Sequence, residues 1–220
     1  VVVHHTAGSN TYTKAESAGL VRGYQSYHVK GHGWCDIGYN FLVDRFGRIW
    51  EGRYGGIDKN VGGAHTLGYN EYAFAMSAIG NFDIAKPSQA MVDAYGSLFA
   101  WKLGLNGVAA ASTKQKIGNK SFHAINGQRD AGSTACPGKQ QYAQLALERD
   151  DSGQRTLDRV DAEVEPDPEP VPRPGDASGQ RRSGRDHPDG RYDELRTPGR
   201  AVEEGLEEAL QHRAECRPHR

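Results

Sequence analysis

The sequence predicts an α/β fold in which a mixed central β-sheet is flanked by helices, with a disordered C-terminal tail. Three observations lead to this prediction. Before residue 149, short apolar runs alternate with segments of helical periodicity. All three Trp and all six Phe lie before residue 123. Eight of the ten Pro lie after residue 148, so only the first part of the chain can build a core.

The tail differs from the preceding domain in charge and composition. From Arg149 onward the chain has 13 Arg, 18 acidic side chains and no Lys, whereas residues 1–148 carry 14 basic and 10 acidic side chains. The segment Glu163–Pro174 alternates Pro with charged residues, which favours an extended chain with nothing apolar to bury. We therefore expect a folded domain over 1–148 and a low-complexity, disordered tail over 149–220. A short amphipathic helix is possible there at 201–216.

The first elements follow from local patterns. Val1–Val3 is an apolar run that predicts a buried strand ending at His4 and His5. Neighbouring side chains of a strand point to opposite faces, so only one of these two can face a given site. Thr13–Glu16 has the spacing of a capping box and is followed by apolar residues at helical spacing, which predicts a helix over about 14–28.

The middle of the chain predicts three strands. Two β-rich runs, 37–44 and 48–52, surround Arg45-Phe46-Gly47, so we expect a hairpin with Gly47 in a left-handed conformation. Phe74–Gly80 predicts the third strand.

Three elements complete the order. Ser88 can cap a helix that runs to Gly104, Phe122–Asn126 predicts the last strand, and Gly138–Glu148 the last helix. The order β-α-β-β-β-α-β-α implies a mixed sheet covered by helices.

His4 and Cys136 are candidate zinc ligands. His4 ends a strand, where a side chain can enter a cleft while the sheet holds the backbone. Cys136 precedes Pro137-Gly138 and a predicted helix, whose N-terminus would favour a thiolate. The alternatives are a hydrogen-bonded core histidine and a buried cysteine that behaves as a small apolar residue.

Three further residues are candidates for a cleft. Tyr39 starts a strand after Gly38, where its phenol could donate to a developing oxyanion, although packing at a sheet edge explains it equally well. Arg53 and His65 lie in Gly-rich loops that could line a groove. For His65, a hydrogen-bonded loop histidine is the alternative.

Six motifs in order resemble one family, the type 2 N-acetylmuramoyl-L-alanine amidases, which includes the peptidoglycan recognition proteins. The similarity covers residues 1 to about 148. The motifs are His4-His5-Thr6-Ala7, Trp34-Cys35-Asp36-Ile37-Gly38-Tyr39-Asn40-Phe41, Glu51-Gly52-Arg53, Gly63-Ala64-His65, Ile79-Gly80-Asn81-Phe82, and Arg129-Asp130 with Thr134-Ala135-Cys136-Pro137-Gly138.

The resemblance implies an enzyme, a Zn²⁺ hydrolase that cuts the amide between N-acetylmuramic acid and L-alanine in peptidoglycan. Two His and one Cys hold zinc in the family, and His4 and Cys136 match two of these ligands. Tyr39 matches the tyrosine that assists the tetrahedral intermediate, and Thr134 matches a position with Lys or Thr. The implied catalytic residues are therefore Tyr39 and Thr134, and the implied substrate-binding residues are Arg53 and His65.

Gln128 departs from this pattern. The family has the second His of its ligand set eight residues before the Cys, and this chain has Gln128 there. An amide oxygen is not among the usual ligands of zinc, so affinity should fall. His123 is a poor substitute, because it lies about 16 Å upstream along a strand. The alternative to an amidase is a peptidoglycan-binding module without hydrolysis, and a third hypothesis is a degraded gene product.

Partners and location also follow from the resemblance. The expected ligand is the muramyl peptide of peptidoglycan, and the expected location is secreted or associated with the cell wall, although the chain shows no signal peptide. No apolar run is long enough to span a membrane, no nucleic-acid motif is present, and we expect a monomer.

Overall fold

A computed structural model describes residues 1–154. The elements are β1 (Val2–His5), α1 (Ser17–Ser26), β2 (Phe41–Val43), β3 (Ile49–Glu51), β4 (Ala75–Ala78), α2 (Gln89–Gly104), β5 (Gln115–Ile117), β6 (Lys120–Phe122), β7 (Asn126–Gly127), α3 (Gln128–Ala131) and α4 (Lys139–Gln154). The expected tail beyond residue 154, including the helix at 201–216, lies outside the described residues, and the boundary at residue 148 stays a prediction.

The main sheet has five strands in the order β3-β2-β4-β1-β7. β1 pairs in parallel with both β4 and β7, β2 pairs in parallel with β4, and β3 pairs antiparallel with β2. The predicted fold class, a mixed sheet flanked by helices, is confirmed. Within residues 1–154, none of the helices combines the length and the apolar character required to span a bilayer.

The alternation of side chains in β1 separates the core from the site. Val3 is buried in the larger apolar cluster, which includes Phe41, Met76 and side chains of α2 and α4. Leu42 belongs instead to a second cluster, against which residues of α1 pack. His4 lies level with Ser77, which itself lies level with Leu42, so strand alternation directs His4 to the face away from α2.

The predicted single strand over Phe122–Asn126 is wrong, because the chain forms two separate strands there. β6 ends at Phe122 and pairs with β5 in a separate two-stranded hairpin, and only β7 joins the main sheet. Between them, Ala124 and Ile125 are buried, and the Ala124 amide donates to the carbonyl of Ser112 at 2.7 Å. The apolar pattern of this segment therefore indicates that its residues are buried in the core. It does not indicate a single strand with continuous hydrogen bonding to the sheet.

Two helices differ from their predicted bounds. α1 begins at Ser17, since only half of the predicted capping box forms: the Glu16 carboxylate accepts from the Thr13 amide at 2.7 Å, but the Thr13 hydroxyl donates to that carboxylate at 2.8 Å and caps no helix amide. After Ser26 the chain continues as one π-helical turn over Tyr27–Gly31. The last helix runs to Gln154, past the predicted end at Glu148.

The β2–β3 hairpin is organised by a buried carboxylate. Gly47 adopts φ +81°, which confirms the predicted left-handed position. Asp44 is fully buried and accepts from the amides of Phe46 and Arg48 at 2.9 and 3.1 Å. It also accepts from Arg48 Nε at 2.8 Å and from Trp50 Nε1 at 3.2 Å. This carboxylate satisfies four donors that the turn would otherwise leave unpaired.

We expect Asp44→Ala to lower the free energy of unfolding by about 3 kcal/mol, because removing one partner of a buried pair leaves the others unsatisfied. Urea unfolding of the full chain measures this loss. Asp58→Ala is the matched control, since it removes an exposed ion pair with Lys59 and should change the midpoint little. Equal midpoints for the two variants would contradict a structural role of Asp44.

Candidate functional site

The site is built around His4 at the carboxyl end of β1. Its ring is 2 % exposed and lies with its centroid 5.3 Å from the ring of Tyr39 and 5.2 Å from that of His65. His5 points elsewhere: its Nδ1 accepts from the Phe82 amide at 3.2 Å. As strand alternation predicts, only one of the two histidines enters the site.

Cys136 reaches His4 from the far end of the domain. Its Sγ lies 3.7 Å from Nδ1 of His4 and accepts from the His5 amide at 3.4 Å. The segment that carries it folds back onto the start of α3, since the Arg129 amide donates to the Cys136 carbonyl at 3.1 Å. Gly127 makes this approach possible, because a Cβ there would lie 2.8 Å from Pro137.

Gln128 is half-buried at the start of α3, directly after β7. Its side-chain Nε2 donates to the His65 carbonyl at 3.2 Å. The Gln128 side chain also acts on His4, where it partly opposes the lowering of the His4 pKa by burial. Its role as a third metal ligand stays a prediction.

His65 is buried behind His4. Its Nδ1 lies 3.2 Å from His4 Nε2, and its Nε2 lies 3.1 Å from the carbonyl of Ala73. The loop that carries it is held by Asn70, whose Oδ1 accepts from the amides of His65 and Thr66 at 2.9 Å each. These bonds fix the backbone of the loop and with it the imidazole.

Glycine at position 38 sets the distance between this loop and Tyr39. The Ala64 amide donates to the Gly38 carbonyl at 2.9 Å, and a Cβ on Gly38 would lie 2.3 Å from the carbonyl oxygen of Ala64. Any other residue at this position would push the loop away from the cleft.

The structure places the remaining predicted residues around this cluster. Tyr39 is half-buried, and its carbonyl accepts from the Arg53 amide at 2.8 Å. Arg53 is buried, with Nη2 3.2 Å from Cys35 Sγ. Thr134 is exposed, and its Oγ1 accepts from the Cys136 amide at 3.2 Å. Their predicted catalytic and substrate-binding roles stay predictions.

Burial keeps the cluster electrically neutral. It lowers the pKa of His4 well below the ordinary value, and the neighbouring His65 adds to the effect. Burial also lowers the pKa of His65 to about 3 and raises the pKa of the Cys136 thiol to about 11. In the absence of a metal, burial of Cys136 therefore outweighs the donating His5 amide and the nearby Arg129, and it favours the thiol over the expected thiolate.

The side chains present meet only part of what zinc requires. His4 and Cys136 offer two of its usual donors, but Gln128 offers a neutral amide. Among residues 1–154, no three His, Cys, Asp or Glu side chains lie together in a group that could hold a metal ion. His123 does not stand in, since it lines a different cavity of about 210 Å³ beside Val2 and Phe122. The donor set does not fit a three-ligand zinc site.

Sequence reasoning missed Thr66, Asn70 and Ala73. Thr66 Oγ1 lies 2.9 Å from His65 Nδ1 and 3.3 Å from His4 Nε2. The Gly68-Tyr69-Asn70 run marks a turn, which could have suggested that Asn70 caps the loop. The contribution of the Ala73 carbonyl has no sequence pattern, because every residue carries one.

Known proteins match this chain in sequence and in fold. The family model of Amidase_2, N-acetylmuramoyl-L-alanine amidase, matches residues 1–139. Peptidoglycan-recognition protein SC2 of Drosophila simulans is 36% identical over 137 residues, which cover 62% of this chain and 66% of that protein, just under two thirds of its length. Peptidoglycan recognition protein 1 of Bos indicus is 35% identical over 143 residues, covering 64% and 67%.

Solved structures of peptidoglycan recognition proteins are similar to this chain in fold. Peptidoglycan recognition protein-LE, in complex with tracheal cytotoxin, a monomeric diaminopimelic acid-type peptidoglycan, is similar with a TM-score of 0.56 and 31% identity, over 67% of this chain and 78% of that one. Drosophila PGRP-LB is similar with a TM-score of 0.55 and 27% identity, over 66% and 77%. With the family model matching more than half of its residues, this chain belongs to the N-acetylmuramoyl-L-alanine amidase (Amidase_2) family, alongside the peptidoglycan recognition proteins.

Proposed function

We propose that the cleft around His4 binds the muramyl peptide of peptidoglycan and that the natural protein does not hydrolyse it. One observation carries the second part: where the family has its second His ligand this chain has Gln128, an amide that is not among the usual zinc ligands, and its Nε2 donates to the His65 carbonyl at 3.2 Å. The first part is supported by the similar protein whose structure holds a monomeric peptidoglycan. The protein would then meet its ligand outside the cell membrane, where peptidoglycan lies.

The side chains around the cleft suit a peptide that carries carboxylates and amides. Arg53 supplies a cation that can pair with a carboxylate, and the phenol of Tyr39 and the hydroxyl of Thr134 can donate or accept. His4 is already buried and Cys136 is partly buried, so covering these polar side chains with a ligand costs little further desolvation. These residues can bind a muramyl peptide without supplying a nucleophile.

Zinc-dependent hydrolysis of the N-acetylmuramoyl-L-alanine bond is the second candidate. The observation in its favour is the 3.7 Å between His4 Nδ1 and Cys136 Sγ. Two donors on one tetrahedral zinc lie roughly 3.5 Å apart, given bond lengths of about 2.0 Å to nitrogen and 2.3 Å to sulfur. The pair is thus spaced for a metal, and the third position decides between the candidates.

We expect the natural full-length chain to retain well under ~0.1 zinc per chain after dialysis and Gln128→His to retain about one, because imidazole restores a three-ligand set. Metal analysis and an assay of stem-peptide release from cell walls measure the two properties. Gln128→Asn is the matched control, since it also changes the side chain at this position but adds no usual zinc ligand.

Stoichiometric zinc together with hydrolysis in the natural protein would overturn the proposal in favour of the amidase. Zinc without hydrolysis in Gln128→His would leave the proposal intact and show that the chemistry lacks a further group.

We expect a soluble muramyl peptide to bind the natural protein equally well with and without a chelator, because no metal takes part. Tyr39→Phe should weaken binding about fivefold, the loss of one hydrogen bond of about 1 kcal/mol. Titration calorimetry measures both. Tyr72→Phe is the control, since this exposed tyrosine lies outside the His4 cluster.

The recognition proposal would be wrong if the natural protein did not bind the muramyl peptide, or if the chelator abolished that binding. An equal loss in Tyr39→Phe and Tyr72→Phe would remove Tyr39 from the binding cleft.

A further inference from the structure

Four polar groups form a continuous chain through the buried side of the cleft. Cys136 Sγ lies 3.7 Å from His4 Nδ1. His4 Nε2 lies 3.2 Å from His65 Nδ1, and His65 Nε2 lies 3.1 Å from the carbonyl oxygen of Ala73. Both rings are almost fully buried, so water does not compete for these nitrogens.

The Ala73 carbonyl determines where the His65 proton lies. A carbonyl oxygen can only accept, so His65 Nε2 must carry the proton that it donates. The ring is 5 % exposed, and its nitrogens contact the His4 ring, the Thr66 hydroxyl and the Ala73 carbonyl, none of which is an anion that would stabilise an imidazolium. The ring is therefore neutral, and a neutral imidazole has a single N–H. His65 Nδ1 therefore carries a lone pair, and that lone pair faces His4.

The lone pair on His65 in turn determines the proton of His4. Two lone pairs 3.2 Å apart would repel, whereas an N–H on His4 Nε2 makes a hydrogen bond. The hydroxyl of Thr66 is compatible with this arrangement, since it can donate to His65 Nδ1 at 2.9 Å and accept from His4 Nε2 at 3.3 Å. With its proton on Nε2, neutral His4 keeps Nδ1 unprotonated beside the Cys136 thiol.

We propose that His65 is a positioning residue, which fixes the proton of His4 on Nε2 and leaves His4 Nδ1 as an acceptor on the side of Cys136. The hydrogen bonds then run in one direction, from the Cys136 thiol through His4 and His65 to Ala73. Each donor in such a chain polarises the next, so the bonds reinforce one another.

Gln128 and Asn70 support the same arrangement through the backbone of His65. The Gln128 amide donates to the His65 carbonyl, and Asn70 accepts from the His65 amide. The imidazole is thus held from its main chain as well as from its ring. The assignment concerns the protein without a ligand, so it stands or fails independently of the proposed function.

Nuclear magnetic resonance of the full chain with ¹⁵N-labelled histidine tests the proposal. At neutral pH, long-range ¹H–¹⁵N correlations distinguish protonated from unprotonated ring nitrogens, and loss of signals in His4→Phe assigns His4. In the natural protein we expect His4 and His65 both to be protonated on Nε2. This measurement requires no variant of His65.

His65→Phe removes the acceptor and should lower the ratio of the Nε2-protonated to the Nδ1-protonated form of His4 about fivefold, as for the loss of one buried hydrogen bond. His65→Asn is the matched control, because its Oδ1 replaces Nδ1 as an acceptor and should keep the ratio. A purely structural role would lower stability in both variants without moving the proton of His4.

A proton on Nδ1 of His4 in the natural protein would overturn the proposal. So would an unchanged ratio in a folded His65→Phe, which would leave Thr66 or the backbone to orient His4. Thermal unfolding of each variant establishes that its spectrum reports the folded state.

Discussion

The structure depends on one constraint, the parallel pairing of β1 with both β4 and β7. The register places Val3 level with Met76 and Gly127, so the next residues, His4 and Gln128, emerge at the same edge of the sheet. Strand alternation then sends Val3 into the core and His4 into the cleft. A shift of one residue would exchange these two side chains and destroy the core and the site together.

Burial then decides the chemistry of the site. His4, His65 and Cys136 lie where a charged form would be poorly solvated, so the imidazoles stay neutral and the thiol keeps its proton. Such a cluster tolerates neutral hydrogen bonds, and the amide of Gln128 supplies them. A metal would favour the opposite state of the cysteine, since a coordinating thiol is deprotonated. A metal ion would therefore have to displace the thiol proton of Cys136.

The loop from Ala64 to Ala73 links the fold to this chemistry. Its approach is set by Gly38, its turn is closed by Asn70, and its far end provides the carbonyl that accepts from His65. The proposed direction of the hydrogen-bond chain needs all three features. Backbone groups thus organise this loop as much as the side chains that the motifs contain.

The sequence by itself determined the fold class, the β2–β3 hairpin with Gly47, the family, and the pairing of His4 with Cys136, because strand periodicity, turn chemistry and motif order are local properties. It also showed that Gln128 carries an amide, which is not among the usual ligands of zinc. Only the tertiary structure decided that Phe122–Asn126 divides between a hairpin and β7, that burial raises the pKa of the Cys136 thiol, and that His65 lies behind His4. Strand partners, burial and hydrogen bonds to a carbonyl such as that of Ala73 join residues far apart in the chain, and no local pattern records them.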